Sequence, residues 1–513
     1  MKNSPYSSNK IGSVNYRYTV FACVIMLILS LILATANRLF YMLFAVVFLL
    51  ICCLLYSYKR MLGFLFLGIL IFIYCLRGIN ALNTIEKTED IAGRRETISA
   101  VAIENGTVHG DNYGSCTVKI TFSENGIIEK NTNLILYGSG AGDLNIGDSV
   151  HTVITVKSLR ETKSKTSFYA DNVFVGGYKE ENIVSAERVG GIYGFAGRIN
   201  EYVTKTLVYN TENNGILQAL ITGNMSYLDA SFYEKVKVSG VSHVLVVSGM
   251  HLTILCSSIW GILNALSLKE WLKDLILLLF VFLLICICGF GISIMRAATV
   301  YVFMVIYRRL ARHGDSMLFL SNAVITVLLI QPLAFHSLAF KLSFASTFGI
   351  LQFTQGIKRL IVGKKEIGFI TDVISDAASV SIAAYVATLP IVIAELGTAS
   401  LYAILANILI AYPVNWMLIL TVVGLLIAPV GLLGYTEKAV FYICDILCNY
   451  FINVVELIAK LPLAVIGFRN GKLLAFIIII AALAVYLCKS NILKDIFKRG
   501  DSNGYRKRST FKK

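Results

Sequence analysis

Apolar runs close to the length of a bilayer-spanning helix recur along the chain, separated by short polar and often basic stretches. A helix needs roughly 20 apolar residues to cross the hydrocarbon core, so each run predicts a crossing. Three open the chain, at 20–36, 39–57 and 61–79. Nine follow, at 240–266, 274–290, 294–310, 316–331, 337–355, 377–396, 414–433, 437–460 and 470–488. Between the two groups the pattern changes. TVKITF (117–122), NLILYG (133–138), SVHTVITVKSL (149–159) and SFYADNVFVGG (167–177) are rich in β-branched and aromatic residues, and Gly, Asn and Asp separate them. Some of these runs alternate, which predicts a small β-barrel or sheet of about five strands within 85–190. Residues 191–236 hold no clean span. IYGFAGRINEYVTKTLVYN (192–210) is amphipathic and fits an interfacial helix, and ILQALITG (216–223) is too short to cross by itself.

Basic residues collect on the cytoplasmic side of a membrane, and this orients the chain. Lys2, Lys10 and Arg17 precede the first run, and Lys59 and Arg60 separate the second from the third. The N-terminus is therefore inside, and the third helix delivers the β region outside. Arg308, Arg309 and Arg312, then Lys358, Arg359, Lys364 and Lys365, fall inside if 240–266 enters from outside. The tail after 488 holds nine Lys/Arg against two Asp and belongs inside as well. Residues 400–412 are apolar, but Pro413 interrupts them, and a full crossing there would leave the tail outside. They are expected to form a re-entrant or broken helix, which is tolerated where irregular backbone is buried in protein or lines a cavity.

The expected architecture is a polytopic α-helical membrane protein of the cytoplasmic membrane. It has about 12 transmembrane helices with one re-entrant or broken helix, plus a small extracytoplasmic β-barrel. Its parts are three helices in 1–84, the β domain in 85–190, an interfacial segment in 191–236, a membrane core in 237–488 and a basic cytoplasmic tail in 489–513. The first stretch of about 18 residues is polar and does not resemble a cleaved signal peptide.

Composition agrees. Of 513 residues 56% are hydrophobic and only 15% charged, with a mean hydropathy of +0.71; a soluble domain carries roughly 25% charged residues. The net charge of +15 is uneven: residues 85–195 hold 11 Lys/Arg against 15 Asp/Glu, a net of −4, so the remainder carries +19. In a soluble protein that excess suggests a nucleic-acid partner, whereas here cytoplasmic enrichment of Lys and Arg accounts for it. Eleven cysteines are present, and only Cys116 falls in the β region. Cys286 and Cys288, like Cys444 and Cys448, lack the accompanying histidines or second pair of a zinc site and read as packing residues. No phosphate-loop sequence and no metal-hydrolase motif occurs, so neither an ATP-driven motor, a metal centre nor a cofactor is expected.

SGVSHVLVVSGMHLTIL (239–255) is apolar enough to sit in a membrane, yet it carries His243 and His251 among serines and glycines. Polar groups in a bilayer core are costly and face the bundle interior, pair with each other or line a path. Under the expected topology His243, Arg296, Lys341 and Glu395 fall in the outer half. Three groups able to carry positive charge there form a funnel for an anion; the alternative is that Arg296 and Lys341 snorkel outward or pair with Glu395. Ser248 and His251 share a helix face, which invites a nucleophile–base reading. No acid lies near to orient the imidazole, and no strand-to-helix elbow holds the serine. Close helix packing with small polar groups facing a lumen is the plainer account of Ser248, Gly249 and His251. Asp229, Glu234, Lys235 and Lys237 are expected to be solvated. Asp445 and Glu456 lie within an apolar run with no evident partner.

These motifs carry a resemblance. HVLVVSGMHLTIL (243–255) resembles the HLLAISGLHxxxL signature of the ComEC-type competence family. ALITGNMSYLDASFYEKVKVSGVSH (219–243) is similar to the family's segment just upstream. Residues 296–351 resemble its core, including the QP…FxLSFA pattern, and 381–413 resemble the later segment with its interrupted helix. The β region looks like the family's oligonucleotide-binding (OB) type domain. The resemblance implies a channel for uptake of transforming DNA as a single strand, with His243, Ser248, Gly249, His251, Arg296, Lys341 and Ser343 shaping or lining the path and no catalytic residue among them. It also implies a separate DNA receptor, a cytoplasmic ATPase or helicase, and a nuclease. Dimerisation or another homo-oligomer is compatible with this, but nothing demands it. Two departures stand out. The family often reads LGDRS where this chain reads ITGNMS (221–226), placing Asn224 and Met225 where Asp and Arg are usual. Many members carry a C-terminal metallo-β-lactamase-like domain, whereas this chain stops about 25 residues past its last expected helix. On the outer domain, Lys157, Arg160, Lys163 and Lys165 are candidates for a local basic face that meets DNA. A transporter or flippase for another anionic polymer or lipid is the alternative function, and an intramembrane hydrolase using Ser248 and His251 a third.

Overall fold

The computed structural model describes residues 19, 22–30, 38–59, 62–110, 113–160, 162, 165–180, 184–186, 188–290, 292–309, 316–363, 368–430, 434–468 and 470–471. The expected 470–488 crossing and the basic tail lie outside them. Helix α1 (22–30) packs with α2 (Arg38–Lys59) and α3 (Leu62–Asp90) around a core that includes Met26, Ile71 and Tyr74. Tyr74 ties this group to the rest of the chain, with its hydroxyl 2.7 Å from Ser30 Oγ and donating to the Pro332 carbonyl at 3.3 Å. Helix α3 runs past its expected end at 79 to Asp90, because its polar last turns IEKTED find partners on the β domain. Lys87 pairs with Glu129 at 3.0 Å and Glu89 with Arg160 at 2.8 Å.

The strands are β1 (Arg95–Ala102), β2 (Thr107–Gly110), β3 (Tyr113–Ser123), β4 (Asn133–Gly138), β5 (Ser149–Ser158), β6 (Val173–Lys179) and β7 (Val184–Ala186), with the short helix α4 (Lys165–Ala170) before β6. The pairing β1–β3–β4–β6–β5 closes back through β5 to β1, giving a five-stranded barrel in which only β4 and β6 run parallel. That order is the topology of an OB-like barrel. β2 and β7 extend it. Alternate residues fill the interior: Ile98, Val118, Ile120, Leu134, Leu136, Val150 and Ile154 are each 1% exposed or less. The alternation is what lets the outer side be polar.

The remaining helices are α5 (Gly191–Asn210), α6 (Asn214–Thr222), α7 (Ala230–Val238), α8 (Ser242–Leu245), α9 (Gly249–Ala265), α10 (Glu270–Ile287), α11 (Ile292–Arg309), α12 (Ser316–Ile330), α13 (Leu338–Val362), α14 (Phe369–Leu396), α15 (Ala403–Ile427) and α16 (Gly434–Ala459). Strands β8 (Thr398–Ser400) and β9 (Val465–Gly467) pair beside them. Among the described residues, four helical stretches are long and apolar enough to cross a membrane: Gly63–Asp90, Thr371–Leu396, Ala403–Ile427 and Thr436–Ala459. Met42–Leu54, Gly249–Ala265 and Ser316–Ile330 are apolar but shorter. Helices α10 and α11 carry three charged residues each, Glu270, Lys273 and Asp274 on one and Arg296, Arg308 and Arg309 on the other. The structure thus shows a largely helical membrane protein with an OB-like barrel.

Two expectations are corrected. The stretch 400–412 is neither re-entrant nor broken, because α15 runs unbroken through Pro413. Proline cannot donate to the carbonyl four residues back, which normally ends a helix. Here that carbonyl, on Leu409, accepts a 3.4 Å hydrogen bond from the Tyr450 hydroxyl on α16. A neighbouring helix thus satisfies the group that proline leaves free, as is common in membrane bundles. The expected 240–266 span is not one helix either. It begins as the single turn α8, passes through extended backbone, and becomes α9 only at Gly249, after Ser248 at φ −134° and ψ 172°.

Candidate functional site

The barrel docks on the helices through glycines. A Cβ at Gly197 of α5 would fall 1.9 Å from the Ile146 carbonyl oxygen, and one at Gly147 would fall 2.6 Å from that of Tyr193. Only glycine permits this approach. Asn105 bridges the contact, donating to Asn200 Oδ1 at 3.1 Å and accepting from Ile146 N–H at 3.2 Å, while Asn200 donates to the Ile287 carbonyl at 2.8 Å.

Between barrel and helices lies a cavity of about 560 Å³. One wall is the outer side of β3 and β4, where alternate residues Ser115, Thr117, Lys119, Asn133, Ile135 and Tyr137 project. The helices contribute Tyr193 of α5, the turn Gly289–Phe290 between α10 and α11, and Gln331 after α12, while Asp171 comes from the barrel's own turn between α4 and β6. Gly289 and Phe290 are both left-handed, at φ 65° and 59°. A phenylalanine there is strained, and its ring packs against Tyr193, edge to face at 5.3 Å between centroids. Burial pushes the Asp171 carboxyl up to about 7, with Glu104 adding to the rise and the Arg296 guanidinium opposing it. Glu104 opens onto the cavity, yet the density of atoms around it raises its carboxyl too.

Arg296, on α11, is 3% exposed and donates one hydrogen bond, from Nη2 to the Ala339 carbonyl at 3.1 Å. Among the described residues its Nε and Nη1 have no hydrogen-bond partner. Lys341, one helical turn beyond the Ser337 cap of α13, forms an ion pair with Glu395 of α14 and lies 5.7 Å from the Phe335 ring centre. For Lys341 the alternative, pairing with Glu395, is realised. His243 lies on α8, within reach of Asn407, which itself donates to Ser381 Oγ at 2.7 Å. The Ser343 carbonyl accepts from Ser346 at 3.0 Å and Thr347 at 2.9 Å, an arrangement internal to α13.

Ser248 and His251 meet as a helix cap. His251 Nδ1 accepts the Ser248 backbone N–H at 3.0 Å and sits 3.4 Å from Ser248 Oγ. The nitrogen that faces Ser248 is thus occupied by the backbone, while Nε2 has no hydrogen-bond partner among the described residues. Gly249 lies where α9 meets α11, and a Cβ there would make an ordinary 3.7 Å contact with that of Ala297.

Other candidates also find places. Lys157 lies over the Tyr178 ring at 4.7 Å. Arg160 is taken by Glu89, Lys165 begins α4, and Lys163 lies outside the described residues. Asp445 caps α6, accepting the backbone N–H of Asn213 at 3.1 Å and of Glu212 at 3.3 Å. Glu456 pairs with Lys235 at 2.7 Å, and Lys237 with Glu234 at 2.7 Å, so Lys235 is not merely solvated. Sequence reading missed Glu104, Asp171, Tyr193, Phe290 and Gln331. The alternation in NLILYG and the Gly-Phe-Gly ending the apolar run at 290 were the signals on offer.

The fold and site together define a helical membrane protein with an OB-like domain set against its core. Residues 220–491 match the family described as Competence protein. This chain belongs to that family, of the ComEC type its signature residues resemble. It is similar to ComE operon protein 3 of Bacillus subtilis (strain 168), 27% identical over 143 residues, which cover 27% of this chain and 18% of that protein. The match thus spans under a fifth of that relative's length. No solved structure matches the chain.

Proposed function

We propose that this chain is a conduit for uptake of transforming DNA across the cytoplasmic membrane as a single strand, about 12 helices deep in crossings with both termini cytoplasmic. The observation that carries the reading is the cavity: the polar outer wall of an OB-like barrel faces helices of the competence core across it. OB-like barrels commonly take oligonucleotides on the side formed by these two strands. Beyond the cavity, Arg296 keeps two N–H directions for an anion in a low-dielectric setting. His243, Ser248, Gly249, His251, Lys341, Ser343 and Glu395 would shape the same path. A separate receptor would supply DNA, a nuclease would remove the other strand, and a cytoplasmic ATPase or helicase would draw the strand in.

The test is uptake of labelled DNA by a strain lacking this gene, scored as nuclease-protected label in the cytoplasm. Supplying the wild-type chain should restore uptake. Arg296→Ala, at equal membrane levels, should lower it about tenfold or more, since a hydrogen bond to a charged group is lost. Normal uptake in the deletion strain, with no second homologue present, would instead favour transport of another anionic polymer or lipid.

A further inference from the structure

Two ring pairs, His109 with Tyr113 and Tyr137 with Tyr178, lie on neighbouring strands of the barrel beside the cavity. Tyr137 on β4 and Tyr178 on β6 are register partners, and their rings stack at 5.4 Å and 25°. Tyr113 on β3 lies close enough to Tyr178 for their hydroxyls to interact. The His109 ring on β2 lies 6.4 Å from that of Tyr113. Tyr113 and Tyr178 are 42% and 37% exposed, although isolated aromatic rings on a barrel this small gain more by burial. Tyr137 and His109 also line the cavity, so the row of rings continues into it. Among the described residues one cation lies over the row: Lys157 on β5 sits over Tyr178 and donates to its hydroxyl at 3.2 Å.

We infer that Tyr113, Tyr137, Tyr178 and Lys157 form a base-stacking platform that receives unpaired nucleotides and passes them to the cavity. This rests on the DNA-uptake reading above and gives it a site. The stacked Tyr137–Tyr178 pair, with the exposed Tyr113 beside it, offers flat faces to bases, which stack on aromatic side chains without regard to sequence. Lys157 makes the exchange economical. A base arriving on Tyr178 displaces the ammonium from the ring, and the ammonium then meets the adjoining phosphate. Neutral carbohydrate also stacks on aromatic rings, but it would leave Lys157 displaced with no anion to meet, so the cation favours nucleic acid. Duplex DNA keeps its base faces covered and cannot use the rings.

The test uses the full chain in nanodiscs and a labelled single-stranded oligonucleotide of about ten nucleotides, within the span of one such barrel. Fluorescence anisotropy should show binding that weakens at least fivefold or so when Tyr113→Ala and Tyr178→Ala are combined, with duplex binding unchanged. Lys157→Gln should lower the salt dependence of binding by about one phosphate contact. Tyr178→Trp should retain affinity, and its fluorescence should be quenched by the oligonucleotide, a readout that does not depend on the alanine variants folding. Unchanged affinity in the double variant, absent quenching in Tyr178→Trp, or tighter binding of a neutral oligosaccharide than of the oligonucleotide would each overturn the platform. Failure of the wild-type chain to restore uptake in the deletion strain would overturn the uptake reading instead and leave these binding results standing.

Discussion

At the scale of single residues, the structure separates charges that are spent from charges that are available. Lys341, Arg160 and Lys235 are each held by a carboxylate, whereas Arg296 is not fully used. Asp171 adds a pH dependence of definite sign. Its carboxyl is raised from an ordinary 3.8 to about 7, so between those values the folded chain holds a proton that the unfolded chain releases. The stability this contributes is complete below about pH 4 and is lost as the pH rises through about 7. Asp171→Asn removes the loss. The thermal midpoint of the variant should exceed that of wild type at about pH 8, with the gap narrowing toward about pH 5. An equal gap at both would show that Asp171 titrates normally. Arg296 and Glu395 were legible in the sequence because a charge inside an apolar run stands out. Asp171 was not, because Asp-Asn between a short helix and a strand reads as an ordinary solvated turn.

At the scale of elements, hydroxyls and glycines decide what continues and what approaches. Tyr450 lets α15 pass through Pro413, so Tyr450→Phe should cost about 1 kcal/mol. A small drop in the thermal midpoint with nucleic-acid binding intact would check it. Gly197 admits the Ile146 carbonyl, and Gly197→Val should cost about 3 kcal/mol by forcing the barrel away. The expected signature is faster protease cleavage between barrel and α5, with the barrel fragment itself still resistant. The β-barrel and the long helices were readable from periodicity, since alternation and apolar run length are local properties. The continuity of α15 was not, because the group that rescues it sits 41 residues away on another helix. The break before α9 was half visible: Ser-Gly-Met-His offers a cap, but the apolar residues around it mask the interruption.

At the scale of the whole molecule, the chain is two kinds of structure joined by close glycine packing, the Asn105–Asn200 bridge and a small apolar cluster of Ile146, Ala196, Cys286 and Phe290. The helices of the competence core are built mainly from apolar packing, while the barrel has an interior of its own and turns a hydrophilic wall toward them. This division was legible in outline, because the charge balance of 85–195 differs in sign from that of the rest of the chain. The cavity was not legible, because its walls come from segments as far apart as residues 104 and 331.

That separation along the chain also sets an order of assembly. Residues 95–179 leave the ribosome long before the turn at Gly289–Phe290 or Gln331 exists. The barrel must therefore close on its own interior and wait for its dock. A wall in which Ser115, Thr117, Lys119 and Asn133 flank the apolar Ile135 and Val173 can stay in water during that interval more readily than an all-apolar one. The hydrophilic lining of the cavity thus protects the half-made protein before it serves the finished one.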